Sequence, residues 1–426
     1  MRATTLEVQS QRRQWYGLPR GFWYLWLGTL INRLGGFVST FLAIYLTERR
    51  GYAVESAGLV VALYGAGSLC AGPLGGILAD RMGRRKTLLI ALLGSSAAMV
   101  NLGLARAYPH IAVGALLLGC LGDLGRPASN AAIADLVPPS ERPRAYALLY
   151  WAINLGFAGS AILAGMLAKY DFLLLFLGDA LTTAVFGLIV ILRVPETRPS
   201  AAAAVEDAGQ GGAPVGRSVG LLAPYRDPVF LTVVLIQFAV AWCFCQSISS
   251  LPLDMSSHGI PMPRYGQLIA LNGIFIVLLQ PMVVRVIART RRSHALALGA
   301  LLTGVGFGLC ALGHSQVLYA VSIIVWTLGE ITLSPVVPTL IADLAPRELR
   351  GSYQGAYQLA WGGAALLGPS LGGLIMGHFG AHTLWLICIV LGVGAAWLHL
   401  IAAPARRERF RLMPDGEGAL AREDPR

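Results

Sequence analysis

Apolar residues run through this chain in blocks of about twenty to thirty, separated by short clusters that are polar, basic and rich in Gly or Pro. A helix needs roughly 20 residues to cross about 30 Å of hydrocarbon. Backbone polar groups in lipid must be satisfied internally, so the blocks predict helices. Twelve spans are drawn, at residues 20–47, 54–79, 87–105, 110–137, 145–168, 171–193, 228–253, 263–288, 294–313, 317–345, 350–377 and 381–404. Two stretches show the pairing of neighbouring spans directly. Neither Ser293–Gly329 nor Gly351–Ala405 contains an Asp, Glu, Lys or Arg, so each joins one span to part or all of another through a short hairpin.

Composition narrows the class. Of 426 residues, 55% are hydrophobic and 13% charged, against about 25% charged in an average soluble domain. This excludes disorder, collagen and a secreted disulfide scaffold, and leaves an integral membrane protein. The six cysteines lie in apolar segments with no CxxC, which suits small packing residues. The first 20 residues are polar and basic, so no secretory signal peptide is expected.

The net charge of +11 would suggest nucleic acid in a soluble protein, but here the basic residues cluster between apolar blocks. With the N-terminus in the cytoplasm, 26 of the 33 Lys and Arg fall in the tails and inner loops and 5 in the outer loops. That bias sets orientation. It predicts a cell (inner) membrane protein with an even number of spans and both termini cytoplasmic, and no nucleic-acid partner.

Residues 194–227 break the pattern. The Ala-, Gly- and Pro-rich run Pro199–Gly220 reads as a flexible linker. It divides the chain into a six-helix bundle at 1–193, the linker at 194–227, a second bundle at 228–405 and a basic cytoplasmic tail at 406–426. The halves echo each other. GDLGRPASNAAIADLVPPSERPRA at 122–145 and GEITLSPVVPTLIADLAPRELRG at 329–351 share a Gly–acid pair, a mid-span Pro, IADL, a Pro and a closing basic loop. A same-direction echo fits two parallel repeats related by an axis along the membrane normal.

Between spans 2 and 3 the chain reads Gly76-Ile-Leu-Ala-Asp80-Arg81-Met-Gly83-Arg84-Arg85-Lys86. Gly76 allows close helix approach and Gly83 a tight turn. Asp80 ends a helix, where the dipole disfavours an anion. It needs a partner, either a nearby Arg or the N-terminus of another helix. The plainer reading is a charged hairpin that only sets topology.

This run resembles the signature loop of the major facilitator superfamily, G-x-x-x-D-R/K-x-G-R-R/K, matching at Gly76, Asp80, Arg81, Gly83, Arg84 and Arg85. The segments Gly28-Thr-Leu-Ile-Asn-Arg33-Leu-Gly and Tyr150-Trp-Ala-Ile-Asn154-Leu-Gly156 are similar to those of its twelve-span drug:proton antiporters. The resemblance implies an all-α membrane fold of two pseudo-symmetric six-helix bundles, alternating access by rocking of the bundles, and a cytoplasmic gate that includes Asp80. There are departures. Ala115 stands twelve residues before Pro127, where such exporters often carry Arg. The exporter motif G-P-x-x-G-G is degraded at Ser160–Gly165 and intact at Gly368–Gly373.

Five charges fall inside spans: Arg33, Asp123, Arg126, Asp179 and Glu330. Such residues are expensive in lipid and usually face a cavity. Arg33 lies about 18 Å along its helix, too deep for easy snorkelling. Asp123 and Arg126 share a face, and Pro127 leaves the Asp123 carbonyl without its helical donor. Two readings are open: ion pairs that fix register, such as Arg33 or Arg126 with Asp123, or groups that carry protons. Glu330 has no basic residue in its own span or in spans 7, 9, 11 and 12 and is the better proton candidate; Asp179 is the weaker. Asp135 and Asp343, in the two IADL segments, are expected to pair with Arg144 and Arg350 as gate or packing elements. Asn32, Tyr64, Asn154, Gln237, Trp242, Gln246, Asn272, Gln280, Tyr357 and Trp361 are candidate cavity-lining residues, with helix packing as the alternative for each.

The function expected is proton-coupled efflux of amphipathic small molecules. The alternative is import of an organic solute on the same scaffold, with the two Arg holding an anionic group. The seven His form no HExxH or similar cluster and no nucleophile motif accompanies them, which disfavours a membrane enzyme; no P-loop occurs, which disfavours a nucleotide-driven pump. No cofactor or metal is expected, the proton gradient being the energy source. The partners are a small-molecule substrate, protons and the lipid bilayer, and the expected form is a monomer.

Overall fold

The computed structural model describes residues 14–36, 38, 42, 45–167, 172–198 and 223–411. The whole run Pro199–Gly220 and the end of the basic tail lie outside these residues. Among the described residues, nine helical stretches are long and apolar enough to cross a membrane. The last of them divides at Gly380, where φ is 84° and ψ 159°, into spans 11 and 12. Adding the helices Arg20–Leu34 and Arg142–Leu167 gives the twelve predicted segments. Exposed Leu59, Leu181, Leu235 and Leu278 form the kind of apolar exterior that lipid accepts and water does not.

Two spans differ from the prediction of unbroken helices. Span 1 is helical over Arg20–Leu34 and interrupted at Gly35-Gly36, with a π-type turn at Tyr45–Arg49. Span 7 is helical over Pro228–Cys245, breaks, and resumes at Ser250–Ser257. The break has a local cause. Ser247 and Ser249 donate their hydroxyls to the carbonyls of Phe244 and Cys245, at 2.6 and 3.0 Å, and so compete with the backbone ladder.

The chain forms two compact units, one of residues 1–221 and 345–356 and a second of residues 222–344 and 357–426. The first therefore takes in the opening turns of span 11. Its interior centres on Phe22, Leu25, Leu88, Ile133, Tyr146, Phe186 and Val190. Spans 2 and 4 meet backbone to backbone, since a Cβ on Gly67 would run into the main chain of span 4 and one on Gly119 into that of span 2. In the second unit spans 9, 10 and 12 stack Phe307 on Trp326 and Trp385.

The sequence echo has a structural counterpart in each half of the sequence. Spans 4 and 10, Tyr108–Leu136 and Gln316–Leu344, are both 29 residues long. Each leads through a proline with φ −54° and ψ 145° into a short 3₁₀ turn, and then into a helix that opens on Arg142 or Arg350.

Candidate functional site

In the first unit the span 2–3 loop and the segment 345–356 form one charged cluster. Span 2 ends at Met82, and Gly83, at φ 102°, makes the turn into span 3 at Arg84. This is left-handed backbone that side chains oppose. Asp80 is 3% exposed. Its Oδ1 accepts the Gly351 N–H at 2.9 Å and its Oδ2 the Ser352 N–H at 2.7 Å, and Arg84 Nη1 lies 3.4 Å away. Both kinds of partner that the helix dipole demands are present: an arginine, and the positive end of the helix that begins at Arg350. Gly76 faces Gly351, where any Cβ would run into the opposing main chain. Gly76→Val is thus expected to displace the segment. A Ser352→Cys reporter, buried in the wild type, should then react with a thiol reagent roughly tenfold faster.

The acidic partners differ from the sequence expectation. Asp135 meets Arg84 at 3.1 Å and Arg350 at 2.7 Å. Arg144 pairs instead with Glu141 at 3.2 Å and donates to the Tyr16 carbonyl, because three residues of helix bring Glu141 to it first. Asp343 meets Arg292 at 2.9 Å. Arg84 and Arg292 each open the helix before the IADL span of their own half, so Arg84–Asp135 and Arg292–Asp343 repeat one design. Arg81 is exposed and its carbonyl accepts from Arg198 at 2.6 Å. Arg85 donates to the Ile191 carbonyl. Glu196, which the sequence did not single out, accepts the Arg84 N–H at 2.8 Å and the Arg85 N–H at 3.3 Å and so caps span 3. The signal for it was available: an acid just past the end of span 6, on the side of the basic loops.

Deeper in this unit, Arg126 Nε lies 2.8 Å from Asp123 Oδ1, and Ser68 donates to Asp123 Oδ2. Of the two cations left open by the sequence, Arg126 is the partner. The Arg33 guanidinium stands over the Phe157 ring at 5.5 Å, and its buried Nε has no hydrogen-bond partner among the described residues. Gly156 makes room for Arg33. Arg33, Tyr64, Asp123, Arg126 and Asp179 interact electrostatically as one group. Asp179 is buried and accepts the Val38 N–H at 3.1 Å, just past the interruption of span 1. That engagement makes it a backbone anchor. Asn32 donates to Thr183 at 2.7 Å and Asn154 to the Tyr150 carbonyl at 2.9 Å.

In the second unit Glu330 Oε2 accepts from Asn272 Nδ2 at 2.7 Å, and the same amide reaches Thr327 Oγ1 at 3.1 Å. Tyr357 and Trp361 are joined at 2.7 Å, with Trp361 beside Phe244. Three candidate lining residues are corrected by burial. Gln237 is held at 3.2 Å from His399, Gln246 by Trp242, Gly368 and Ser250, and Gln280 by Ser334. At 3% exposure or less they pack helices. Trp242 is buried as well. Asp254 lies one residue beyond the drawn end of span 7, was not weighed in the sequence, and is fully buried.

The family model described as Major Facilitator Superfamily matches residues 25–253 and 247–421. The chain is 27% identical over 378 residues to the uncharacterised MFS-type transporter YttB of Bacillus subtilis, covering 88% of this chain and 93% of that protein. It is 26% identical to the multidrug resistance protein MdtH of Aeromonas salmonicida, covering 91% and 96%. Its fold is similar to that of the proton:xylose symporter XylE, with a TM-score of 0.71 at 17% identity, over 88% of this chain and 94% of the other.

Proposed function

The chain belongs to the Major Facilitator Superfamily, and from that premise we propose that it is a proton-coupled exporter of amphipathic small molecules. Family membership makes it a membrane transporter and not an enzyme. The finer reading rests on Glu330. This carboxylate sits within an apolar span and is held through Oε2 by the neutral amide of Asn272. An amide N–H serves an ionised acid and the carbonyl oxygen of a protonated one alike. The proton can therefore come and go while the bond stays made. A carboxyl in a low-dielectric setting is suited to that task.

The cluster of Asp80, Arg84, Asp135 and Arg350 acts as the gate on the cytoplasmic side. Its release frees residues 345–356 from spans 2 and 4 and lets the bundles rock. The aromatic residues Phe244, Trp361 and Tyr357 offer stacking surface to apolar substrates. The similarity to a protein named for multidrug resistance supports efflux. The protein works as a monomer in the cell membrane with both termini cytoplasmic, needing no cofactor beyond the proton gradient.

Proteoliposomes holding a permanently charged fluorescent cation test this reading, because such a dye is not trapped by pH alone. Antiport predicts accumulation in vesicles made acidic inside. Accumulation only in vesicles made acidic outside would establish symport of the cation instead.

A further inference from the structure

We propose that Asp254, His258 and His314 form a binding site for a divalent transition cation of the zinc class. Asp254 and His258 lie on the resumed helix Ser250–Ser257 and at its C-terminal cap, and His314 on the loop entering span 10. All three belong to the second unit. One donor atom from each falls within 4.8 Å of the others.

The carboxylate points to a ligand. Asp254 is fully buried, and its Oδ2 is taken by the Tyr319 hydroxyl at 2.9 Å and Trp385 Nε1 at 3.0 Å. Oδ1 is also buried and has no hydrogen-bond partner among the described residues. It faces the histidines, with His258 Nδ1 at 3.4 Å. A buried carboxylate oxygen left empty is costly, and a cation would satisfy it. The two imidazoles stack with centroids 3.4 Å apart and planes 8° from parallel. A neutral imidazole offers a metal ion a lone pair.

Two imidazoles and one carboxylate match the donor set of zinc sites that keep a fourth position open. Mg²⁺ and Ca²⁺ call for oxygen ligands and are disfavoured. Around one ion with bonds of about 2.0–2.1 Å the donors would stand roughly 3–3.5 Å apart. Both histidines are exposed, so rotation of their side chains closes the difference without moving the buried carboxylate. A bound ion would tie the end of span 7 to the start of span 10.

The test is Co²⁺ titration of the purified full chain, carrying no polyhistidine tag, followed by visible absorption and by displacement with Zn²⁺. One Co²⁺ per chain with ligand-field bands is expected, with binding at least about tenfold weaker in His258→Ala and in His314→Ala. His378→Ala/His382→Ala, which alters exposed histidines elsewhere, should bind as the wild type does, and Mg²⁺ should not compete. Asp254→Asn should also lose binding. Because Asp254 anchors Tyr319 and Trp385 and its variant risks misfolding, the histidine variants decide. Absence of stoichiometric Co²⁺ binding, or binding that persists in His258→Ala/His314→Ala, would overturn the proposal.

Discussion

Glu330→Gln should abolish proton-driven accumulation while downhill exchange of the same substrate continues. Gln has the size and shape of Glu, and its carbonyl oxygen can still accept from Asn272, which holds Glu330 at 2.7 Å and Thr327 at 3.1 Å. Only the titratable proton is removed. One pH unit across the membrane is worth about 1.4 kcal/mol per proton, enough for about tenfold accumulation. The wild type should reach a ratio of that order in vesicles under a one-unit gradient, and the variant should stop near equal concentrations. Wild-type accumulation by the variant would remove Glu330 from coupling. Loss of exchange as well would assign it to substrate binding.

The second large effect is expected at Asp80. Its two oxygens accept the Gly351 and Ser352 N–H groups, and Arg84 lies 3.4 Å away. In Asp80→Asn one oxygen becomes an NH₂ facing another donor, and the anion at the helix start is lost. Hydrogen bonds to charged groups contribute about 1.5–3 kcal/mol each, so the closed arrangement should lose a large share of its population. Turnover is expected to fall about tenfold or more, with substrate KM little changed because both Asp80 oxygens are occupied by the Gly351 and Ser352 N–H groups. Turnover equal to the wild type would reduce the loop to a topology signal. A changed KM with unchanged turnover would place Asp80 in substrate binding.

The legible parts of the fold were those that repeat along one dimension. Span length, charge-free hairpins and the IADL echo all follow from helical rise and membrane thickness, which act residue by residue. So does the kind of partner Asp80 needs, since a helix end has a fixed polarity. What failed to show were choices between partners brought by other helices. Spacing along the chain points to Arg144 for Asp135, but span 3 delivers Arg84 while Glu141 occupies Arg144. The buried glutamines illustrate the same limit. An amide in an apolar span reads alike whether it faces substrate or, as Gln246 does, the Gly368 carbonyl. Breaks were hidden for another reason. Gly35-Gly36 and the serines of span 7 interrupt helices without altering hydropathy, and the resumed helix carried Asp254 past the drawn boundary.

Underlying the whole account is the claim that water reaches Asp123 and Glu330 from one side of the membrane and then from the other. Ser68 donates to Asp123, and Ser334 lies one helical turn beyond Glu330 on the same span. The six native cysteines are all free thiols and would first be replaced. Ser68→Cys and Ser334→Cys would then be challenged separately with a membrane-impermeant thiol reagent from each face of oriented vesicles. The account predicts that both positions label from both faces, and that an imposed pH gradient shifts the balance between faces. Labelling from neither face, in any gradient and with or without substrate, would contradict it.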